Sequence, residues 1–227
     1  MKRIVPFAPK ALICGTMFVA AGTLSGLSQN TGFYIKADVG GNLTQDADLK
    51  EFFGPVAPGT KVKFDPGFRA GFAGGYQLTD WFAGEVEVGY LANRIDSITG
   101  ADRVHNAWFE NVPFLVNAKL QYPNRSPLTP YIGAGVGFSE AFIDVGSVDI
   151  GGTSLHGSIN DTVFAYQGFA GLRYRLNDQM GLSLEYRYFA ADGANWQADF
   201  TSGTSSDTMR MGHTQTHALS FAFDFRF

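Results

Sequence analysis

The chain has 227 residues, 45% apolar and 15% aromatic, with 28 glycines and 21 phenylalanines, and only 17% are charged where soluble domains average about 25%. Its 17 basic and 21 acidic residues give a formal charge of −4, and three of the basic ones, Lys2, Arg3 and Lys10, fall in the first ten positions. This balance excludes a disordered chain, a coiled coil and a basic binder of nucleic acid, and the length suits one domain if that domain is a barrel.

The N-terminus has a basic start and then an uncharged stretch from Ala11 to Ser28 with an apolar heart over 11–21, the pattern of a secretory signal. Small residues at Gly26 and Ser28 place the expected cut before Gln29, making 1–28 the signal peptide and 29–227 the mature domain. An uncleaved anchor is the weaker reading, because Gly and Ser shorten the apolar core. Lipid attachment at Cys14 is weaker too, since Ile13 stands where a small residue is needed. Cys14 is the only cysteine, so the mature chain has no disulfide or thiol chemistry, and with 14 basic against 21 acidic residues its charge is −7.

Beyond residue 30 no stretch approaches the roughly 18 apolar residues of a membrane helix. The hydrophobic period is two, and alternation bounded by turn residues predicts eight strands over 33–41, 67–78, 82–92, 109–122, 130–143, 162–176, 181–190 and 214–227. In the last, Leu219, Phe221, Phe223, Phe225 and Phe227 share one face and Ala218, Ser220, Ala222, Asp224 and Arg226 the other, which helical spacing cannot produce. The third sets Phe82, Val86, Val88 and Tyr90 against Ala83, Glu85, Glu87 and Gly89.

The gaps between these runs alternate long and short, so all the long connections meet at one end. Thr79-Asp80, Pro123 to Pro127 and Asn177-Asp178 supply the short turns. The fold class expected is all-β, an eight-stranded antiparallel up-and-down transmembrane β-barrel with both termini on the short-turn side. A soluble lipocalin-like barrel would turn its apolar face inward instead. Secretion, the low charge fraction, and aromatics near the short turns (Trp81, Phe82, Tyr122, Tyr131, Tyr174) favour the membrane version.

The terminal run of alternating phenylalanines adds a further sign. With it the chain resembles the eight-stranded outer membrane barrels of the OmpA and opacity-protein type, the outer membrane protein beta-barrel domain family. The resemblance runs through 32–40 (GFYIKADVG), 64–69 (FDPGFR), 85–90 (EVEVGY), 130–137 (PYIGAGVG) and 165–174 (AYQGFAGLRY), and covers 30–227. It implies a place in the bacterial outer membrane, among outer-membrane lipid and lipopolysaccharide. It also implies that the last strand, with Phe221, Phe223, Phe225 and Phe227, is the assembly signal read by the barrel-insertion machinery. No peptidoglycan-binding domain is recognisable after the barrel, a departure from the two-domain members that counts against an expectation of cell-wall anchoring.

The inward face is where chemistry would sit. Counting in from the short turns gives Lys36, Glu85, Lys119, Arg173, Glu185 and Asp224, with Asp38, Glu87 and Arg187 one inward step higher. Barrel order suggests the pairs Glu85 with Lys119, Arg173 with Glu185, and Asp224 with Lys36, subject to strand stagger. Charges inside so narrow a barrel must be paired, so an ionic plug is expected across the short-turn half. Gly133, Gly135 and Gly137 recur on the inward side of the fifth strand, either making room for long Arg and Lys side chains or simply permitting curvature.

No catalytic set stands out. His217 and Ser220 have opposite parity in the last strand and cannot form a dyad without a bulge, His213 with a loop serine is the weaker enzymatic alternative, and His105 and His156, in different long loops, lack metal-ligand spacing. Acids such as Asp46, Asp48 and Asp192 match no calcium loop, and Pro55, Pro58 and Gly59 predict an irregular first loop. The expectation is a monomeric, non-enzymatic barrel without cofactor or metal, with a structural and surface-exposed role and loops available to a host or cell-surface ligand. The alternative is a narrow gated pore for ions or small solutes.

Overall fold

The computed structural model describes residues 31–52, 55–101, 103–150, 153–197 and 208–227; the expected signal peptide lies outside them. Among these residues the chain forms twelve strands: β1 Gly32–Thr44, β2 Ala47–Phe52, β3 Lys61–Phe64, β4 Gly67–Gln77, β5 Phe82–Ile98, β6 Arg103–Gln121, β7 Leu128–Ile150, β8 Thr153–Arg175, β9 Met180–Ala191, β10 Asn195–Gln197, β11 Thr208–Met211 and β12 Thr214–Arg226. Eight of them, β1, β4, β5, β6, β7, β8, β9 and β12, pair antiparallel in that order. The barrel closes where β1 meets β12, with Ile35 opposite Phe225 and Lys36 opposite Asp224. These are the eight strands the alternation predicts.

Period-two alternation divides each strand between the two sides of the barrel wall, and the apolar side faces out. On β1, Phe33, Ile35, Val39 and Leu43 are exposed while Tyr34, Lys36, Asp38 and Asn42 are buried inside, and on β12 Leu219, Phe221 and Phe223 are exposed while Ser220, Ala222 and Asp224 are buried. Trp81, Tyr122 and Tyr174 stand exposed at the short-turn end, as a girdle requires. Tyr131 does not join them. It is buried, and its hydroxyl donates to Glu185 Oε2 at 2.9 Å, because its parity is that of the inward Gly133 and Gly135.

At the long-loop end the strands run further than the apolar alternation indicates, to Ile98 in β5, from Arg103 in β6, to Ile150 in β7 and from Thr153 in β8. The reason is an inversion of polarity at constant parity. Lower in β5 the outward residues are Val86 and Val88 and the inward ones Glu85 and Glu87; higher up Arg94 and Asp96 face out and Leu91 and Ile95 face in. On β7 and β8 the same change puts Glu140, Asp144, Asn160 and Thr162 outside and Ala141, Ile143, Val163 and Ala165 inside. One barrel is therefore apolar outside in its lower half and apolar inside in its upper half.

The upper interior is a hydrophobic core that includes Leu91, Ile95, Phe109, Leu115, Ile143 and Phe189. The first and last long connections cover it, with strands where only the irregular stretch at Pro55, Pro58 and Gly59 was expected. β3 pairs with the top of β5, β2 with β3, β11 with β2, and β10 with β11. Their alternating apolar side chains, Ala47, Leu49, Val62, Met209, Met211 and the fully buried Trp196, point into the core. The indole Nε1 of Trp196 donates to the Ala141 carbonyl at 3.1 Å, so its one polar atom is satisfied. The irregular part of the first connection is the turn around Pro58 and Gly59, where Gly59 takes φ of 88°.

Candidate functional site

Below the apolar core the lumen is ionic. Lys119 Nζ lies 2.6 Å from Glu85 Oε1, and Lys36 Nζ lies 3.4 Å from Glu85 Oε2 and 3.2 Å from Glu185 Oε2. Glu185 also pairs with Arg187, whose guanidinium reaches Glu87 at 3.0 Å. Glu87 in turn holds Arg69 at 2.5 Å, and Arg69 pairs with Asp38. The result is one unbroken, neutral chain of alternating sign: Lys119, Glu85, Lys36, Glu185, Arg187, Glu87, Arg69, Asp38. It draws on β6, β5, β1, β9 and β4 and so ties strands far apart in sequence.

Parity supplies these charges: each occupies an inward position of its strand. Pairing then makes their burial tolerable, since a lone buried charge would cost several kcal/mol in lost hydration. Neutral donors satisfy the remaining lone pairs. Tyr34 Oη donates to Glu85 Oε1 at 2.6 Å, and Asn117 Nδ2 and Gln167 Nε2 donate to Glu87 Oε2 at 2.7 and 3.0 Å. Aromatic faces complete the lining, with Lys119 4.3 Å from the Tyr34 ring centre and Arg187 4.9 Å from that of Phe169.

Of the three pairs suggested by barrel order, Glu85 with Lys119 is present and the other two are rearranged. Lys36 lies in register with Asp224 but extends instead to the two glutamates. Arg173 does not meet Glu185. It crosses β9 to bind Asp224, with Nε 2.8 Å from Oδ1 and Nη2 2.6 Å from Oδ2. Gly181 makes that crossing possible, because a Cβ there would stand 2.5 Å from the Arg173 guanidinium carbon.

Gly133 and Gly135 likewise make room, but not for Arg or Lys. A Cβ at Gly133 would strike the Phe169 ring at 2.2 Å, and one at Gly135 the Asn117 Oδ1 at 1.8 Å. Sequence reasoning missed Arg69, Tyr34, Asn117 and Gln167. Arg69 sits high on β4, far from the short turn used as origin, yet its inward parity within 67–78 was the available signal.

The aromatic residues of the last strand face outward, Phe221 and Phe227 most openly, and the Phe227 amide donates to the Phe33 carbonyl at 3.0 Å. His217 faces outward as well, within hydrogen-bond distance of Gln45 (2.9 Å) and Tyr186 (2.7 Å), whereas Ser220 is buried in the lumen. His213 stands 3.3 Å from Asp192 at the upper rim. Among the described residues no group of three His, Cys, Asp or Glu could hold a metal ion. This arrangement can fix strands against one another and obstruct passage along the axis.

Comparison with known proteins agrees with that architecture. The family described as "Outer membrane protein beta-barrel domain" matches residues 11–227. An uncharacterized protein of Brucella abortus (strain 2308) is 37% identical over 86 residues, 36% of this chain. The alignment spans under a third of that relative, 30% of its length. Among solved structures, OprG from Pseudomonas aeruginosa superposes with a TM-score of 0.59 at 15% identity, covering 86% of this chain and 96% of that one. Neisserial surface protein A gives a TM-score of 0.52 at 19% identity, covering 86% and 97%. Both likenesses are of fold. With a family match over nearly its whole length and a closed eight-stranded barrel apolar on the outside of its lower half, the chain belongs to the outer membrane protein beta-barrel domain family and resides in the bacterial outer membrane.

Proposed function

We propose that this protein is a closed structural barrel of the outer membrane, monomeric and non-enzymatic, whose loops present a surface to host or cell-surface ligands. The observation that carries the reading is the eight-residue ion-pair chain across the lumen, stacked beneath the apolar core that includes Leu115 and Phe189. An ion crossing it would have to break several buried pairs and then traverse hydrocarbon. The opposite parity of His217 and Ser220 supports the non-enzymatic part. Contact with outer-membrane lipid and lipopolysaccharide follows from the exposed apolar belt, and reading of Phe221, Phe223, Phe225 and Phe227 by the insertion machinery belongs to the same proposal.

The second reading is a narrow gated pore. One observation favours it: Lys36 is shared by Glu85 and Glu185, the arrangement needed for partner exchange. Single-channel recording of the refolded barrel in a planar bilayer, with Glu85→Ala and Arg173→Ala beside it, separates the two. Silence in the wild type is expected. Ion-selective openings altered by both substitutions would replace the closed barrel with the pore.

A further inference from the structure

The short-turn mouth of the barrel holds a vestibule that the closed-lumen reading does not use. Its volume is about 490 Å³, within the roughly 300–1,000 Å³ typical of small-ligand sites. Three guanidinium groups line it, those of Arg173, Arg175 and Arg226. They differ in commitment. Arg173 is held by both carboxylate oxygens of Asp224. Neither Arg175 nor Arg226 has an ion-pair partner among the described residues, and the Nε of Arg226 is buried without a hydrogen-bond acceptor.

That Nε is closed to solvent, as are those of Arg69 and Arg187 in the lumen above, so what Arg226 offers the vestibule is the rest of a guanidinium with no carboxylate on it. Arg226 is fixed in place, because its backbone amide donates to the Gln179 carbonyl at 2.8 Å and its strand pairs with β1 through Tyr34. Two carboxylates, Asp80 and Asp178, also line the space, but from the turns, whereas the guanidiniums stand on β8 and β12. Gln121, also in the lining, donates from Nε2 to the Asp80 carbonyl at 2.8 Å.

We propose that this vestibule binds a small soluble oxyanion, a phosphate- or carboxylate-bearing molecule entering from the periplasm, with Arg226 and Arg175 as its ligands. Planar guanidinium forks suit the paired oxygens of such groups. The site lies at the mouth, beneath the ion-pair chain, so it stands whether or not the lumen above conducts.

The test is calorimetric titration of the refolded barrel with inorganic pyrophosphate in zwitterionic detergent at low ionic strength, where screening is least. One saturable site is expected, weakened at least tenfold in Arg226→Gln and tightened in Asp178→Asn, which removes a like charge. Arg94→Gln, exposed at the opposite end, should bind as wild type. Heat-modifiable migration confirms that each variant is folded. Absence of saturable binding, wild-type affinity in Arg226→Gln, or equal weakening in Arg94→Gln overturns the proposal. So does loss of pyrophosphate binding in nanodiscs of phosphatidylglycerol but not phosphatidylcholine, which would give the site to lipid headgroups.

Discussion

Glu85→Gln is the most direct probe of the lumen. The carboxylate accepts from Lys119 at 2.6 Å, Tyr34 at 2.6 Å and Lys36 at 3.4 Å, and its side chain is fully buried. Glutamine keeps the shape and one acceptor but removes the charge. Lys36 would retain Glu185 at 3.2 Å, whereas Lys119 would have no carboxylate within ion-pair distance among the described residues. Breaking one partner of a buried pair costs about 3–5 kcal/mol. Lys119 is 11% exposed at its side chain and can lean toward the wet mouth, which puts the expected loss near the lower end, about 3 kcal/mol.

Reversible urea unfolding in detergent micelles, followed by tryptophan fluorescence, measures it. Asp192→Asn at the exposed upper rim is the reference and should stay within about 0.5 kcal/mol of wild type. Lys119→Met combined with Glu85→Gln should recover part of the loss, giving a coupling of about 1–3 kcal/mol. If Glu85→Gln matches Asp192→Asn, or the two lumen substitutions simply add, the lumen charges are hydrated independently and the reasoning fails.

Two further outcomes are expected. Trp196→Ala removes a fully buried side chain from beneath the upper covering and should destabilise it by about 3–5 kcal/mol, read as faster protease cleavage of the long connections while the lower barrel stays resistant. Unchanged cleavage would mean that the covering does not depend on its core. Deleting Phe227 should lower the amount of barrel assembled in cells without hindering refolding in detergent; equal assembly would remove the residue from the insertion signal.

Parity was legible throughout. The eight barrel strands and the two faces of each follow from alternation, because a period of two admits only two faces; secretion, low charge and the aromatics near the short turns set which face is outward, and with it nine of the inward charges. Of the pairings only Glu85 with Lys119 was legible, since the rest depend on stagger and on side-chain reach: Arg173 spans a whole strand, over the space that Gly181 leaves. Tyr131 was legible but misread, as its odd number, shared with Gly133, already put it inside. The upper strands were hidden for a different reason. Above the belt the same alternation continues with inside and outside exchanged, so a search for apolar outward faces stops near Tyr90 and Phe142 although the hydrogen-bonded ladders go on.

The pairing of β2 with β11 joins the first long connection to the last, with Met209 opposite Phe52 and Met211 opposite Leu49. Segments some 160 residues apart thus form one exposed facet over the barrel seam. A lengthened or shortened first connection would have to be answered in the last, so the two must change together. Within the facet, alternation sorts positions by freedom: Leu49, Met209 and Met211 are committed to the core, while Asp48, Lys50 and Arg210 look outward. Substitution on the outward side can therefore be absorbed at every second residue without loosening what lies beneath.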